Sequence, residues 1–172
     1  MSRNDEASHE ITLRFLAEPN EVNFGGKVHG GTVMRWIDHA GYTCASGWSG
    51  HYCVTVYVSG IRFLSPIAIG DVVDVHAQLL YTGRSSMHIG VDVRARNPRG
   101  AKSRLTTHCI VVFVALDEDG NKIEVPSWEP RTEREQAMRD YAVRLIELRE
   151  TIQQEMSGFL ADEDDHQITP GN

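Results

Sequence analysis

The sequence predicts an α+β domain in which an antiparallel sheet packs against one central helix, with an extra helix at the C-terminal end. The first observation is a change of period: a helical pattern at 30–47 is followed by segments that alternate apolar and polar residues. The second is that short turns join those segments, as in antiparallel neighbours. Because the sheet has one apolar face to cover, the helix at 30–47 is expected to cover it.

Composition limits the class of protein. The chain has 172 residues, 41% of them hydrophobic, which suits one domain with a substantial core. A formal charge of -7 and a pI near 5.6 argue against a general binder of nucleic acid or anionic membranes. No stretch has the length and apolarity of a membrane span, and the N-terminal MSRNDEASHE lacks an apolar signal region. We therefore expect a cytoplasmic protein with neither nucleic-acid nor membrane partners.

The cysteines and histidines show no metal-ligand spacing. Cys44, Cys53 and Cys109 all lie in apolar segments, which favours small core residues over catalysis. The eight histidines include neither an HxH nor an HExxH arrangement, so no metal site is expected.

The elements follow from the periodicity and from the Gly and Pro positions. A short strand at 11–16 and a loop at 19–28 precede the helix, which begins near His29 or Gly30 and ends near Gly47 or Gly50. Further strands are predicted at 52–64, with a candidate bulge at Gly60, and at 71–80, 86–96 and 102–116, with NPRG at 97–100 as a hairpin turn.

The C-terminal part reads as a separate unit, so we divide the chain into a main domain at 1–130 and a region at 131–172. A second helix is predicted at 131–156, and it is expected to dock on the body of the protein or on a neighbouring subunit. Its apolar stripe consists of Met138, Tyr141, Ala142, Leu145, Leu148 and Ile152. The acidic stretch at 161–172 is expected to be disordered.

Asp38 is the residue of the first helix that most needs explanation. Val33, Ile37, Ala40, Gly41 and Cys44 line one side of that helix, and Asp38 lies at its border. An ordinary border residue would face water or pair with an arginine. However, the lead-in GGKVHGG places free backbone N–H groups at the helix start, where the helix dipole attracts negative charge. Donors for an oxyanion followed by a carboxylate that can activate water are the minimum set for acyl hydrolysis.

Three blocks in series carry a resemblance. The runs NFGGKVHGGTVMRWIDHAG, VSGIRFLSPIAIGDVV and YTGRSSMHIGVDV resemble the hotdog-fold acyl-CoA thioesterases, in particular the bacterial branch related to the brain acyl-CoA hydrolase, over residues 10–126. The resemblance implies a hotdog fold and hydrolysis of fatty acyl-CoA without a metal or redox cofactor. It also implies a homodimer joined edge to edge by its sheets, with three such dimers forming a hexamer.

The resemblance assigns roles to residues. Asp38 matches the family's catalytic aspartate, either as the base for water or as the nucleophile, and Asn23 matches the loop asparagine that holds the water or the carbonyl oxygen. The family's two residues act in one site but come from opposite subunits. The backbone N–H groups of Gly30 and Gly31 would polarise the thioester oxygen, while His29 is read as a loop-ordering residue with a candidate substrate contact.

Contacts to the CoA arm are expected from Arg62, Arg84, Ser85 and Ser86, which fall in the two blocks where the family holds it. Arginine suits the phosphates of CoA because its planar fork forms bidentate bonds.

Two other functions of the same fold stay open at this point. One is a regulator that binds acyl-CoA without hydrolysing it, although no DNA-binding segment is visible. The other is a dehydratase, whose characteristic histidine context is not found.

Overall fold

The computed structural model describes residues 8–100 and 102–166, and it contains one antiparallel sheet, a central helix and a long C-terminal helix. The helices are α1, Gly30–Ser49, and α2, Glu133–His166, with a short 3-10 turn at Pro19–Glu21. The strands are β1, Glu10–Leu16; β2, Tyr52–Val58; β3, Arg62–Phe63; β4, Val72–Thr82; β5, Ser86–Arg96; and β6, Arg104–Leu116. The predicted α+β architecture is confirmed.

The sheet has six strands in the order β1-β4-β5-β6-β2, and β3 also pairs with β6. All pairs are antiparallel, as the short turns predicted. β1 and β2 therefore form the two edges of the main path. The predicted strand at 52–64 is split into β2 and β3, and its bulge lies at Val56 rather than Gly60. Ser59 explains the interruption, because its N–H donates to the Ile110 carbonyl while its hydroxyl accepts from the Ile110 N–H.

α1 lies against the inner face of the sheet with the side that the helical period predicted. Val33, Ile37, Ala40, Gly41 and Cys44 are all buried. Gly41 permits the close approach of β6, since a Cβ at that position would lie 2.7 Å from the ring of Phe113. The helix ends at Ser49 because Gly50 takes the left-handed conformation, with φ 72°, that a C-terminal cap requires.

All three cysteines are free thiols in the core, as expected. Burial raises the pKa of the Cys44 and Cys109 thiols to about 12 and raises that of Cys53 as well. The thiolate is the nucleophilic form of cysteine, so this environment does not suit catalysis.

The outer face of the sheet is not a simple solvated face, because α2 packs across it. Ala142 is buried against Leu80 of β4 and Ile110 of β6, and Met138 and Leu145 pack beside them. His88, which the alternation placed on the polar face, is only 6% exposed. The predicted docking of the second helix is thus on the body of its own chain.

α2 also extends beyond its predicted end. It continues from Met156 to His166, so 161–166 is helical rather than disordered, and 167–172 lies outside the described residues. The extension passes through Gly158, and residues 159–166 contain neither glycine nor proline, so no breaker ends the helix there. In the part of the chain that the structure describes, no helix combines the length and apolarity needed to cross a bilayer.

Candidate active site

Asp38 lies on the exposed side of α1 and is held by β2. Its Oδ1 accepts a hydrogen bond of 2.6 Å from the hydroxyl of Thr55. The carboxylate lines a cavity of about 370 Å³ between α1 and β1, together with Leu13, Arg14, Phe15, His39, Tyr42 and Thr43. Thr55 was not singled out from the sequence. Strand alternation was an available signal, because it puts Thr55 on the same face as the buried Cys53.

Asn23 organises a tight hairpin before α1. Its Oδ1 accepts from the N–H groups of Gly25 at 2.9 Å and Lys27 at 3.2 Å, while its own N–H donates to the Lys27 carbonyl. A bridge between Val22 and Val28 closes the hairpin. Since the amide oxygen is committed to the loop, the amide NH2 group is the part of Asn23 that can donate to a ligand.

His29 caps the start of α1. Its Nδ1 accepts from the N–H of Gly31 at 3.0 Å, and its carbonyl accepts from Thr32 and Val33. This contact is the loop-ordering role expected of His29. It also corrects the pairing of Gly30 with Gly31 as oxyanion donors, because the Gly31 N–H is already engaged. Gly30 is therefore the donor that the helix start can offer.

The cavity beside the helix start contains Asn23 and Gly30 and has a volume of about 370 Å³. Its remaining walls are Lys27, Val28, Val33, Phe63, Leu64, Ser65, Pro66, Ile67 and Thr107. Thr107 is 1% exposed, and its hydroxyl finds no hydrogen-bond partner within the described residues. A buried hydroxyl of this kind is costly unless a ligand completes it. Neither Thr107 nor Lys27 was singled out from the sequence.

Asp38 does not line this cavity, so one chain does not bring the predicted catalytic residues together. Asp38 follows Gly30 by eight residues, which corresponds to about 12 Å along a helix. A carbonyl oxygen bound at the Gly30 N–H is therefore too far from the Asp38 of the same chain for that carboxylate to act on it.

The predicted CoA contacts lie at opposite ends of the sheet. Arg62 is on β3 opposite His108, next to the cavity of Asn23. Arg84 and Ser85 are in the turn between β4 and β5, where the Ala115 N–H donates to the Ser85 carbonyl. Ser86 begins β5. His108 and Ala115 are seven residues apart on β6, about 23 Å in a strand, so the two groups do not meet within one chain.

Comparison with known proteins shows the family of this chain. The family model described as "Thioesterase superfamily" matches residues 25–102. The chain is 36% identical over 132 residues to an uncharacterised acyl-CoA thioester hydrolase of Haemophilus influenzae, a match that covers 74% of this chain and 84% of that protein. The chain therefore belongs to the thioesterase superfamily and, within it, to the acyl-CoA thioester hydrolases.

Two solved structures extend the comparison. Acyl-CoA hydrolase from Staphylococcus aureus, in complex with butyryl coenzyme A, coenzyme A and coenzyme A disulfide, matches with a TM-score of 0.78 and 28% identity, over 89% of this chain and 95% of that one. A hexameric thioesterase from Yersinia pestis matches with a TM-score of 0.64 and 34% identity, over 67% of this chain and 94% of that one.

Solved variants of the S. aureus enzyme replace an aspartate, a threonine or an asparagine by alanine. The spacing of those three residues along that chain is the same as the spacing of Asn23, Asp38 and Thr55 here.

Proposed function

We propose that the protein hydrolyses fatty acyl-CoA to a free fatty acid and CoA, at two sites shared between the subunits of a homodimer. The observation that carries the proposal is the separation of Asn23 and Gly30 from Asp38 into different cavities of one chain. Each site then needs the loop and helix start of one subunit and the carboxylate of the other. The match in spacing with the residues replaced in the S. aureus enzyme supports the choice of Asn23, Asp38 and Thr55.

The edge through which the sheets join is β2. This edge exposes Tyr52, Val56 and Val58, by 60%, 53% and 39%. β1, the other edge, carries instead an ion pair between Arg14 and Asp74 of the neighbouring strand β4. An apolar sheet edge is a surface that natural proteins cover, whereas charges discourage pairing.

A two-fold axis at the β2 edge also reverses the strand direction of the partner. The turn that holds Arg84, Ser85 and Ser86 in one subunit then approaches the end of the sheet that holds Arg62 in the other. This supports a CoA site built from both chains, in which arginines meet phosphates. Because relatives include hexameric thioesterases, we propose that three dimers assemble into a hexamer.

In this site the residues divide the chemistry as follows. The Gly30 N–H and the dipole of α1 polarise the thioester carbonyl, and the Asn23 amide donates to the water or to the carbonyl oxygen. Asp38 removes the proton of the attacking water, or attacks the carbonyl carbon itself and is released by water in a second step. In both routes the C–S bond breaks and CoA leaves as the thiol. The apolar walls Val28, Val33 and Ile67 suit the acyl chain.

No metal or redox group enters either route, and this remains part of the proposal. The cytoplasm is the proposed location. The three free thiols support it, because a reducing compartment keeps cysteines unpaired.

The first test is thiol release from short-, medium- and long-chain acyl-CoAs, with Asp38→Asn beside wild type. We expect hydrolysis that falls by a factor on the order of 100 to 10,000 in the variant, since a positioned acid or base contributes about that much. The control is Asp140→Asn, which changes an exposed helical carboxylate bonded to Gln136 and should leave the rate unchanged. A wild-type protein that binds acyl-CoA but releases no thiol would instead be the non-hydrolytic regulator.

The second test is subunit mixing. Asn23→Ala and Asp38→Ala proteins are each expected to be nearly inactive, but a mixed dimer contains one site with both residues intact. Random exchange of equal amounts makes half the dimers mixed, with one of two sites restored in each, so about a quarter of wild-type activity should return. No recovery, with subunit exchange shown by mass spectrometry, would place the site within one subunit.

A further inference from the structure

α2 crosses the outer face of the sheet from one edge to the other. Near its start, Glu135 lies 3.2 Å from His9, just before β1. Further along, the Tyr141 hydroxyl lies 3.2 Å from Nε2 of His108 on β6. Later still, the Arg149 guanidinium lies over the ring of Tyr57 on β2, 4.8 Å from its centroid. Since the sheet order is β1-β4-β5-β6-β2, the helix reaches the β2 edge at Arg149.

The helix then continues past that edge. From Arg149 to His166 it extends by about 25 Å at the usual rise per residue. Strands lie about 4.8 Å apart, so this length corresponds to about five strand spacings beyond β2. In the proposed dimer, the surface next to β2 is the partner's β2. The distal part of α2 therefore extends over the partner subunit.

This distal part carries an uncovered apolar stripe. The stripe residues and their exposed fractions are Leu148 at 59%, Ile152 at 51%, Met156 at 59% and Phe159 at 64%. Their spacings of four, four and three residues add to eleven over three turns, close to the natural period of the helix. The stripe is therefore straight and can meet a straight partner along its whole length. A contiguous apolar surface of this kind marks an interaction site.

The stripe is symmetric about Ile152. Leu148 lies four residues before Ile152, and Met156 lies four residues after it. Two copies related by a two-fold axis run antiparallel, so a residue before the axis meets the residue equally far after it in the other copy. With Ile152 at the axis, Leu148 meets Met156 of the partner subunit.

The geometry of the sheet gives a separate estimate of where the two-fold axis lies relative to α2, and this estimate agrees with Ile152. The axis of a β2-to-β2 junction lies half a strand spacing, about 2.4 Å, beyond β2. Because α2 crosses β2 near Arg149 and rises about 1.5 Å per residue, it reaches the level of that axis, beside it, one to two residues later. Ile152 lies within about one turn of that point.

Charge selects the same antiparallel arrangement. Arg149 lies three residues before Ile152, and Glu155 lies three residues after it, so opposite charges meet in an antiparallel pair. A parallel pair would instead place Glu155 beside Glu155. The Arg149 guanidinium lies over the ring of Tyr57, so its positive charge is held at the β2 edge where the partner begins.

We propose that the α2 helices of two copies pair antiparallel across the β2 junction, with Ile152 at the two-fold axis and Arg149 facing Glu155 of the partner subunit. The proposal rests on the β2-edge dimer of the proposed function. In this arrangement α2 has two roles: it covers the outer face of its own sheet, and its distal part stabilises the dimer by packing at the outer face of the partner subunit.

Disulfide formation by Ile152→Cys tests the pairing. Two cysteines at the axis should oxidise to a covalent dimer, seen on a non-reducing gel as the main species. Gln154→Cys is the matched control: it lies two residues further along, about 200° around the helix, and should stay monomeric on the gel. The native cysteines are buried and do not compete.

The outcomes separate the helix pair from the shared site. If sedimentation shows a dimer or a hexamer and Ile152→Cys links no better than Gln154→Cys, the helix pair is wrong and the shared site stands. If the linked protein forms but wild type releases no thiol, the proposed hydrolysis is wrong and the helix pair stands. A monomer in sedimentation overturns both.

Three further variants test the arrangement more closely. In Ile152→Asp two carboxylates meet at the axis, so the dissociation constant of the dimer should rise at least about tenfold, whereas Gln154→Asp should leave it unchanged. An unchanged constant in Ile152→Asp overturns the proposal.

In a double variant with Val56→Cys and Ile152→Cys, a flexible bis-maleimide should give covalent dimers and nothing larger. Longer linked chains would show that β2 and α2 meet different copies, which also overturns it.

Discussion

The hydroxyl of Thr55 donates to Oδ1 of Asp38 across 2.6 Å, and this bond ties β2 to the exposed side of α1. A hydrogen bond to a carboxylate is stronger than one between neutral groups, so it fixes the rotation of the Asp38 side chain. While Oδ1 accepts from Thr55, Oδ2 can face a water molecule or the thioester carbon. Thr55 is therefore a positioning residue for the proposed catalytic carboxylate.

Replacing Thr55 by valine should lower kcat and leave KM nearly unchanged. We expect a loss of about 10- to 100-fold, because a small misplacement of a reacting group costs that much in rate. Thr55→Ser keeps the hydroxyl and should recover most of the activity in a steady-state assay of thiol release. An equal loss in both variants would show that shape, rather than the hydrogen bond, accounts for the effect.

Changing Thr107 or Thr106 to valine should have opposite effects on the stability of the protein. Thr107 has a buried hydroxyl without a partner in the described part of the chain, so Thr107→Val should keep or raise stability, by about 1 kcal/mol, while KM for acyl-CoA rises. Thr106 donates to the Val93 carbonyl at 3.0 Å, and Thr106→Val should cost about 1 kcal/mol. Urea unfolding and KM measurements check both. An unchanged KM in Thr107→Val would remove Thr107 from the substrate cavity.

His88 should make the protein less stable as the pH falls from about 6.5 to 4. Burial, with a smaller contribution from the Arg149 charge, lowers the pKa of His88 from 6.5 to about 4. Between pH 6.5 and 4 the unfolded chain binds a proton at this histidine and the folded chain does not. The contribution of His88 to the free energy of unfolding therefore falls by about 3 kcal/mol as the pH drops through this range, and it does not change with pH above 6.5. Urea unfolding at fixed protein concentration should show this slope in wild type but not in His88→Gln. The same slope in both would assign it to other groups.

Two glycines of α1 should give opposite results when changed to alanine. A Cβ at Gly41 would lie 2.7 Å from the Phe113 ring, so Gly41→Ala should destabilise the protein by about 1–3 kcal/mol. A Cβ at Gly47 meets nothing within 4 Å, and Gly47→Ala should stabilise the protein by about 0.5–1 kcal/mol through helix propensity. Thermal unfolding measures both. Similar midpoints for the two variants would mean that β6 can move away from α1.

The sequence was sufficient for the features that depend on local periodicity and capping. The helical period of α1 identified the buried side from Val33 to Cys44, and the glycines at 47 and 50 indicated its end, where Gly50 is the cap. The short turns indicated the antiparallel pairing of β4 with β5, and the alternation within these strands indicated inward-facing residues such as Val75 and Val91.

Features that depend on distant contacts could not be predicted in the same way. Alternation assigned His88 to the outer face, but it cannot show that α2, from much later in the chain, covers that residue. The same limit applies to Thr55, whose partner Asp38 belongs to another element. The glycines at the start of α1 indicated N–H donors, but which of them His29 had already engaged required coordinates.

The cap at His29 also fixes the tautomer of its ring. A backbone N–H can only donate, so Nδ1 of His29 must offer a lone pair to Gly31, and the hydrogen of the neutral ring is then on Nε2. The ring therefore presents an N–H rather than a basic nitrogen to any bound molecule. In this arrangement His29 can donate a hydrogen bond to a ligand but cannot take a proton from the attacking water, which leaves that step to a carboxylate.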